Sequence, residues 1–183
     1  MLQVKPLSHA HSLNSSFREK TLEHIFVGAC LRCLWLQGVH DAEVLQADVD
    51  GAGYDVVFDV SGVLRHVQLK SSFHGSSTAV QKINRKLGEK PSGCVVWMRF
   101  DDETLALGPF FWFGGAPNKP LPSMASFKVA KYAKGNAKGV KLQRPNIVEI
   151  PKGKFERLDT IDALVERMFG ISRCIAEHPP LSS

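Results

Sequence analysis

Two segments dense in β-branched and aromatic residues face each other across a short break. Residues 54–60 (YDVVFDV) and 64–70 (LRHVQLK) are separated at Ser61-Gly62, a pair with turn chemistry. Such a pattern reads as an antiparallel hairpin. It commits the middle of the chain to a sheet whose apolar face must be covered by other elements. A further strand over residues 43–49 extends the hairpin to a meander.

Material to cover that sheet is present on both sides. Apolar residues are 44% of the 183 and charged residues 22%, which suits one folded domain and excludes global disorder. Leu22, Ile25, Phe26, Ala29, Cys33 and Leu36 recur at helical spacing, so residues 17–36 form a helix that Gly38 stops. Ser15 or Ser16 caps it, with Glu19 three residues after Ser16 as in a capping box. Downstream, the pattern predicts a helix over 77–87 with Lys82, Arg85 and Lys86 on its polar side. It then predicts a buried strand over 93–100 and another over 105–113, bent or placed at an edge by Gly108-Pro109. A Gly/Pro-rich loop over 114–122, a short helix over 123–134 and a basic loop over 135–145 follow. The series ends with a strand over 146–150 and a helix over 161–169, capped by Asp159 or Thr160 and ended by Gly170. The expected organisation is a loose arm over 1–14, one α/β domain over 15–170 and a loose tail over 171–183, with a central mixed sheet flanked by helices.

The formal net charge is +5, and its distribution says more than its size. No acidic residue occurs from Thr104 to Val148, while Lys119, Lys128, Lys131, Lys134, Lys138, Lys141 and Arg144 all fall there. Those seven cations exceed the net charge, so the rest of the chain sums to −2. A cationic segment on a near-neutral body suits an anionic partner, against the alternative of an ordinary solvated face.

No apolar run approaches the ~18 residues a membrane helix needs, and the first sixteen residues lack the apolar centre of a signal peptide. Cys30, Cys33, Cys94 and Cys174 make no secreted-type framework. Cys30 and Cys33 sit in the apolar helical pattern, which favours buried thiols and a cytoplasmic setting over zinc or redox chemistry. His9 and His11 read as solvated arm residues.

The densest polar information lies in residues 48–72, DVDGAGYDVVFDVSGVLRHVQLKSS. Asp55 opens one strand of the hairpin, and Gln68 and Lys70 close the other. Residues i and i+2 of a strand share a face, so pairing through Ser61-Gly62 brings Asp55 to the same sheet end as Gln68 and Lys70. A carboxylate, an amide oxygen and a lysine suit phosphodiester hydrolysis. Asp55, helped by Gln68, ligates Mg²⁺ or Mn²⁺. The ion polarises the phosphate and acidifies a water, and Lys70 orients that water or stabilises the developing charge. Glu23 or Glu19 of the first helix completes the set.

The order helix with Glu, strand, GYD strand, QLK strand, then helix resembles the PD-(D/E)xK nuclease superfamily, in its Mrr-like form where Gln replaces the acidic residue of the (D/E)xK element. The resemblance covers roughly residues 17–100. It implies a restriction-endonuclease-like α/β core, cleavage of DNA or RNA with Mg²⁺, and roles for Asp55 and Gln68 as ligands and Lys70 as the catalytic lysine. The helical ligand it implies is Glu23, with Glu19 second. It also implies a homodimer that cuts one strand per subunit. The pattern departs from the family in its neutral Gln68 and in Tyr54, which stands where the motif has proline.

The cationic residues Lys82, Arg85, Lys86, Lys128, Lys131, Lys134, Lys138, Lys141 and Arg144 are then the expected nucleic-acid contacts, with DNA favoured. Lys128, Lys131 and Lys134 lie close on one side if helical. Competing readings stand beside these. Asp48 and Asp50 suggest a calcium loop only weakly, or assist the metal site. His66, His74, Ser71 and Ser72 are solvated or capping residues, or phosphate contacts. Trp97 and Phe110 to Phe113 are core, or stack on bases. Two rivals to the nuclease remain: a degenerate nucleic-acid-binding or assembly protein of the same fold, and a module whose basic segment docks an acidic protein.

Overall fold

The computed structural model describes residues 15–46, 51–134 and 139–171. Helix α1 (Ser15–Leu36) leads into strands β1 (Ala42–Gln46), β2 (Val56–Val60) and β3 (Val63–Phe73). These are followed by β4 (Val80–Asn84), β5 (Gly93–Phe100), β6 (Leu107–Gly114), β7 (Lys128–Lys131), β8 (Gln143–Pro151), β9 (Glu156–Leu158) and helix α2 (Ile161–Phe169). The architecture is α/β, with a mixed six-stranded sheet in the order β1-β2-β3-β5-β6-β9 and a separate three-stranded sheet, β4-β8-β7.

The hairpin forms as its turn chemistry requires. Ser61 and Gly62 both have positive φ, 48° and 79°, the twist that a two-residue connection needs. Val60 then pairs with Val63 and the register runs to Val56 opposite Val67. On its other side β3 pairs in parallel with β5 from His66 opposite Gly93 to Phe73 opposite Phe100. β3 is therefore eleven residues long against five for β2, and outruns it.

Two apolar layers cover the six-stranded sheet. On one face, Leu22, Phe26, Cys30 and Cys33 of α1 and Leu164, Val165, Met168 and Phe169 of α2 pack on Val56, Phe58, Val67, Val96 and Met98. On the other, Val95, Trp97, Phe111 and Phe113 pack on Ile83, Val148 and Ile150 of the small sheet. β5 is consequently buried at every residue, as a strand enclosed on both faces must be. The helices flank one face only; the small sheet occupies the other.

Four expectations change. Residues 77–87 are not a helix but β4 and a 3-10 turn, Arg85–Glu89. Gln81 and Ile83 alternate inward with Lys82 outward, a period of two that β8 completes by pairing. Residues 123–134 contain no helix either. Lys128–Lys131 form β7 against β8, so Lys128, Lys131 and Lys134 do not share a helix side. Residues 143–145, expected in a loop, begin β8. Finally, the short β9 pairs with the far edge of β6, so β6 lies inside the sheet. Its Pro109, after a cis bond, falls in the irregular stretch where no ladder hydrogen bond is needed. The last helix is as expected. Thr160 rather than Asp159 caps it, accepting from the Ala163 N–H at 3.1 Å, and Gly170 ends it in the left-handed region. The first helix begins two residues before the expected start. The arm, the residues of the tail beyond Ile171, and Asp48, Asp50, Lys138 and Cys174 lie outside the described residues.

Among the described residues no helix is long and apolar enough to cross a membrane. Cys30, Cys33 and Cys94 are buried thiols that form no disulfide. Burial raises the Cys30 thiol well above the usual range and pushes Cys94 up to about 12.

Arg65 is wholly buried and meets no carboxylate among its hydrogen-bond partners. Its Nε donates to the Met168 carbonyl at 2.6 Å, and its two terminal nitrogens to Ser92 Oγ at 3.0 Å and the Gly115 carbonyl at 3.1 Å. The guanidinium also lies 5.3 Å from the Trp112 ring centroid. One side chain thus ties the C-terminal end of α2, the loop before β5 and the end of β6 to β3. Arg65→Ala strands these buried acceptors and is expected to cost about 3–5 kcal/mol, read from the urea midpoint. Arg65→Lys is expected to recover only part of that, because one ammonium lacks the guanidinium fork.

Candidate functional site

The site begins where β3 runs past β2. The Asp55 N–H donates to the Val67 carbonyl at 2.9 Å, continuing the ladder by one step. Its carboxylate then takes the next donor: Oδ2 accepts from the Leu69 N–H at 2.6 Å. A side chain has replaced the strand, and the edge of β3 beyond it borders a cleft of about 460 Å³. The N-terminal turns of α1 form the opposite wall.

The cleft is lined by Asp55, Lys70 and Ser71 from the strands and by Ser16, Glu19, Lys20 and Glu23 from α1, over a floor of Leu22, Leu69 and Met98. Glu19 and Glu23 are one helical turn apart, so both reach the same wall. Glu23 is half-buried and held by Lys20, with Nζ donating to Oε1 at 2.7 Å. Glu19 is exposed, with Arg18 at 4.0 Å. Lys70 is half-buried and makes no hydrogen bond or ion pair among the described residues.

Asp55, Lys70, Glu23 and Glu19 are therefore brought together, while Gln68 is not. It shares Lys70's face of β3, but it is 6% exposed and absent from the cleft wall. Its Oε1 accepts from the Asn84 N–H at 3.3 Å, where β4 crosses above it. The oxygen that was to serve a metal is engaged in fixing β4. Three carboxylates of hard-donor chemistry face the cleft, although among the described residues no three His, Cys, Asp or Glu side chains close into a metal-binding group.

The remaining candidates sort by burial. Trp97 and Phe110 to Phe113 are core residues and have no face for bases. Ser72 is buried and accepts from Trp97 Nε1 at 2.7 Å and Arg99 at 2.9 Å. His66 packs on Tyr54 at 4.9 Å between ring centroids, and His74 pairs its Nε2 with the Gly108 carbonyl at 2.7 Å. Cys33 accepts from Gln37 and donates to Asp162, as a buried thiol does. Lys82 points outward from β4, while Arg85 and Lys86 lie on the 3-10 turn, where Lys86 Nζ reaches the Gly51 carbonyl at 3.2 Å. Lys20 was missed by the sequence reading, although its spacing of three from Glu23 is the signal for it.

No family model, curated protein or solved structure matches the chain.

Removing the Asp55 carboxylate leaves the Leu69 N–H without its acceptor. Asp55→Ala is expected to cost about 1–2 kcal/mol in urea unfolding, and Asp55→Asn, which keeps a carbonyl oxygen there, distinctly less.

Proposed function

We propose that the chain is a Mg²⁺-dependent nuclease, with Mn²⁺ as a substitute, that hydrolyses phosphodiester bonds in DNA. The observation that carries this reading is the convergence of Asp55, Lys70, Glu23 and Glu19, from three elements, on one cleft. The restriction-endonuclease-like assignment is supported by the order of elements: a helix, a three-stranded antiparallel meander and a strand parallel to the third. The helical crossover of that family is replaced here by β4 and a 3-10 turn.

Asp55 and Glu23 would hold the ion, with Glu19 beside them; the ion neutralises phosphate charge and lowers the pKa of a bound water. Glu23 already has a cation, Lys20, so loading the site exchanges one positive charge for another. Lys70 borders the cleft, and its ammonium would stabilise the charge that builds on the phosphoryl oxygens. Water oxygen bonds to phosphorus, the bond to the leaving oxygen breaks, and the water's proton balances the leaving group. A homodimer, with one cleft per strand of duplex, belongs to the proposal.

A second reading is favoured by Gln68. With its amide oxygen bonded to Asn84 N–H, the site lacks the third oxygen of the motif, and a nucleic-acid-binding protein without cleavage follows.

Cleavage of plasmid DNA in Mg²⁺ is expected to vanish with EDTA and to fall by about 10²–10³-fold in Lys70→Ala, with the thermal midpoint nearly unchanged. Asp55→Asn is expected to be as inactive. Activity that survives both substitutions overturns the nuclease. Metal-independent DNA binding with no cutting in either ion selects the second reading.

A further inference from the structure

We infer that the end of the small sheet where β7 and β8 run past β4, and so form a two-stranded ribbon, docks in the major groove of duplex DNA, separate from the cleft. The inference deepens the nuclease reading and rests on it for the identity of the polyanion.

The ribbon is antiparallel, with Ala130 opposite Arg144 and Lys131 opposite Gln143. It extends past β7, because the Tyr132 N–H donates to the Leu142 carbonyl at 2.9 Å. Lys131, Lys134 and Lys141 are exposed on it and Arg144 is half-buried. At its base Lys128 is ion-paired with Glu149 at 3.3 Å. The other four cations have no acidic partner among the described residues. Like charges on paired strands repel, so folding alone does not favour this cluster. A polyanion turns the repulsion into attraction.

Charge alone would suit any acidic surface, but two further observations narrow the choice. The Arg144 guanidinium lies 5.5 Å from the centroid of the Tyr132 ring. That stack pre-orients a planar fork suited to a phosphate. Tyr132, Val140 and Leu142 are each more than half exposed beside it, which gives the ribbon apolar surface for sugars and base edges. Strands ~4.8 Å apart make a ribbon that a major groove ~12 Å wide admits. The deep, narrow major groove of an RNA duplex does not admit it.

The test is fluorescence anisotropy of the full chain with a labelled 20-base-pair DNA duplex in EDTA, across a salt series. The same probe is run as single-stranded DNA and as duplex RNA. Wild type is expected to bind duplex DNA most tightly. Combined Lys131→Ala, Lys134→Ala and Lys141→Ala is expected to weaken binding at least tenfold and to flatten the log–log salt slope by about 2–3, at ~0.9 per lost phosphate contact. Tyr132→Ala is expected to weaken binding several-fold at an unchanged slope. Unaltered affinity and slope in the triple variant, preference for either other probe, or no salt-dependent binding overturns the inference. The nuclease reading is scored separately by cutting. Binding through the ribbon without cutting removes only that reading, and cutting with an indifferent ribbon removes only this inference.

Discussion

The structure depends on a mismatch of length. β3 is long enough to serve β5 along eight paired positions, and β2 covers only its first five. A strand edge left open in this way exposes backbone donors and acceptors that must be satisfied. Asp55 does so by substituting a carboxylate for the missing strand, with one backbone bond to Val67 and one side-chain bond from Leu69. The residue read as a ligand is thus also the residue that ends the β2–β3 ladder. Its oxygen is fixed beside Lys70 because the same edge positions both.

Enclosure of β5 follows from the other side of β3. Parallel pairing requires a crossover, and here the crossover supplies β4, so the far face of the sheet is covered by strands rather than by a helix. The two faces therefore differ in kind. The helical face carries the acidic wall of the cleft, with Glu19 and Glu23. The stranded face carries the cationic residues of β7 and β8. The charge asymmetry visible along the chain becomes an asymmetry between layers.

Much of this was legible where the signals are local. Ser61-Gly62 carried its own turn chemistry, α1 and α2 carried apolar spacing and caps, and residues 93–100 read as a buried strand. The failures came where pairing at long range decides. Residues 80–84 and 128–131 have short patterns that suit either period, and β8 settles both as strands by hydrogen-bonding to each. Gln68 shows the same limit at the site. Period two correctly placed it on the face of Lys70, but it cannot say what lies above that face, and β4 lies there. Asp55 and Lys70 were recoverable because both flank a hairpin whose register the turn dictates.

Arg65 has a consequence for how the chain comes into being. Its contact with Met168 spans 103 residues, and a guanidinium buried without a carboxylate is tolerable only when every carbonyl in its shell is present. During synthesis from the N-terminus, the meander emerges long before α2 does. Until that helix arrives, Arg65 lacks one of its acceptors and the α1 face of the sheet lacks half its cover. The central sheet can be laid down early, but it closes only when nearly the whole domain has been made.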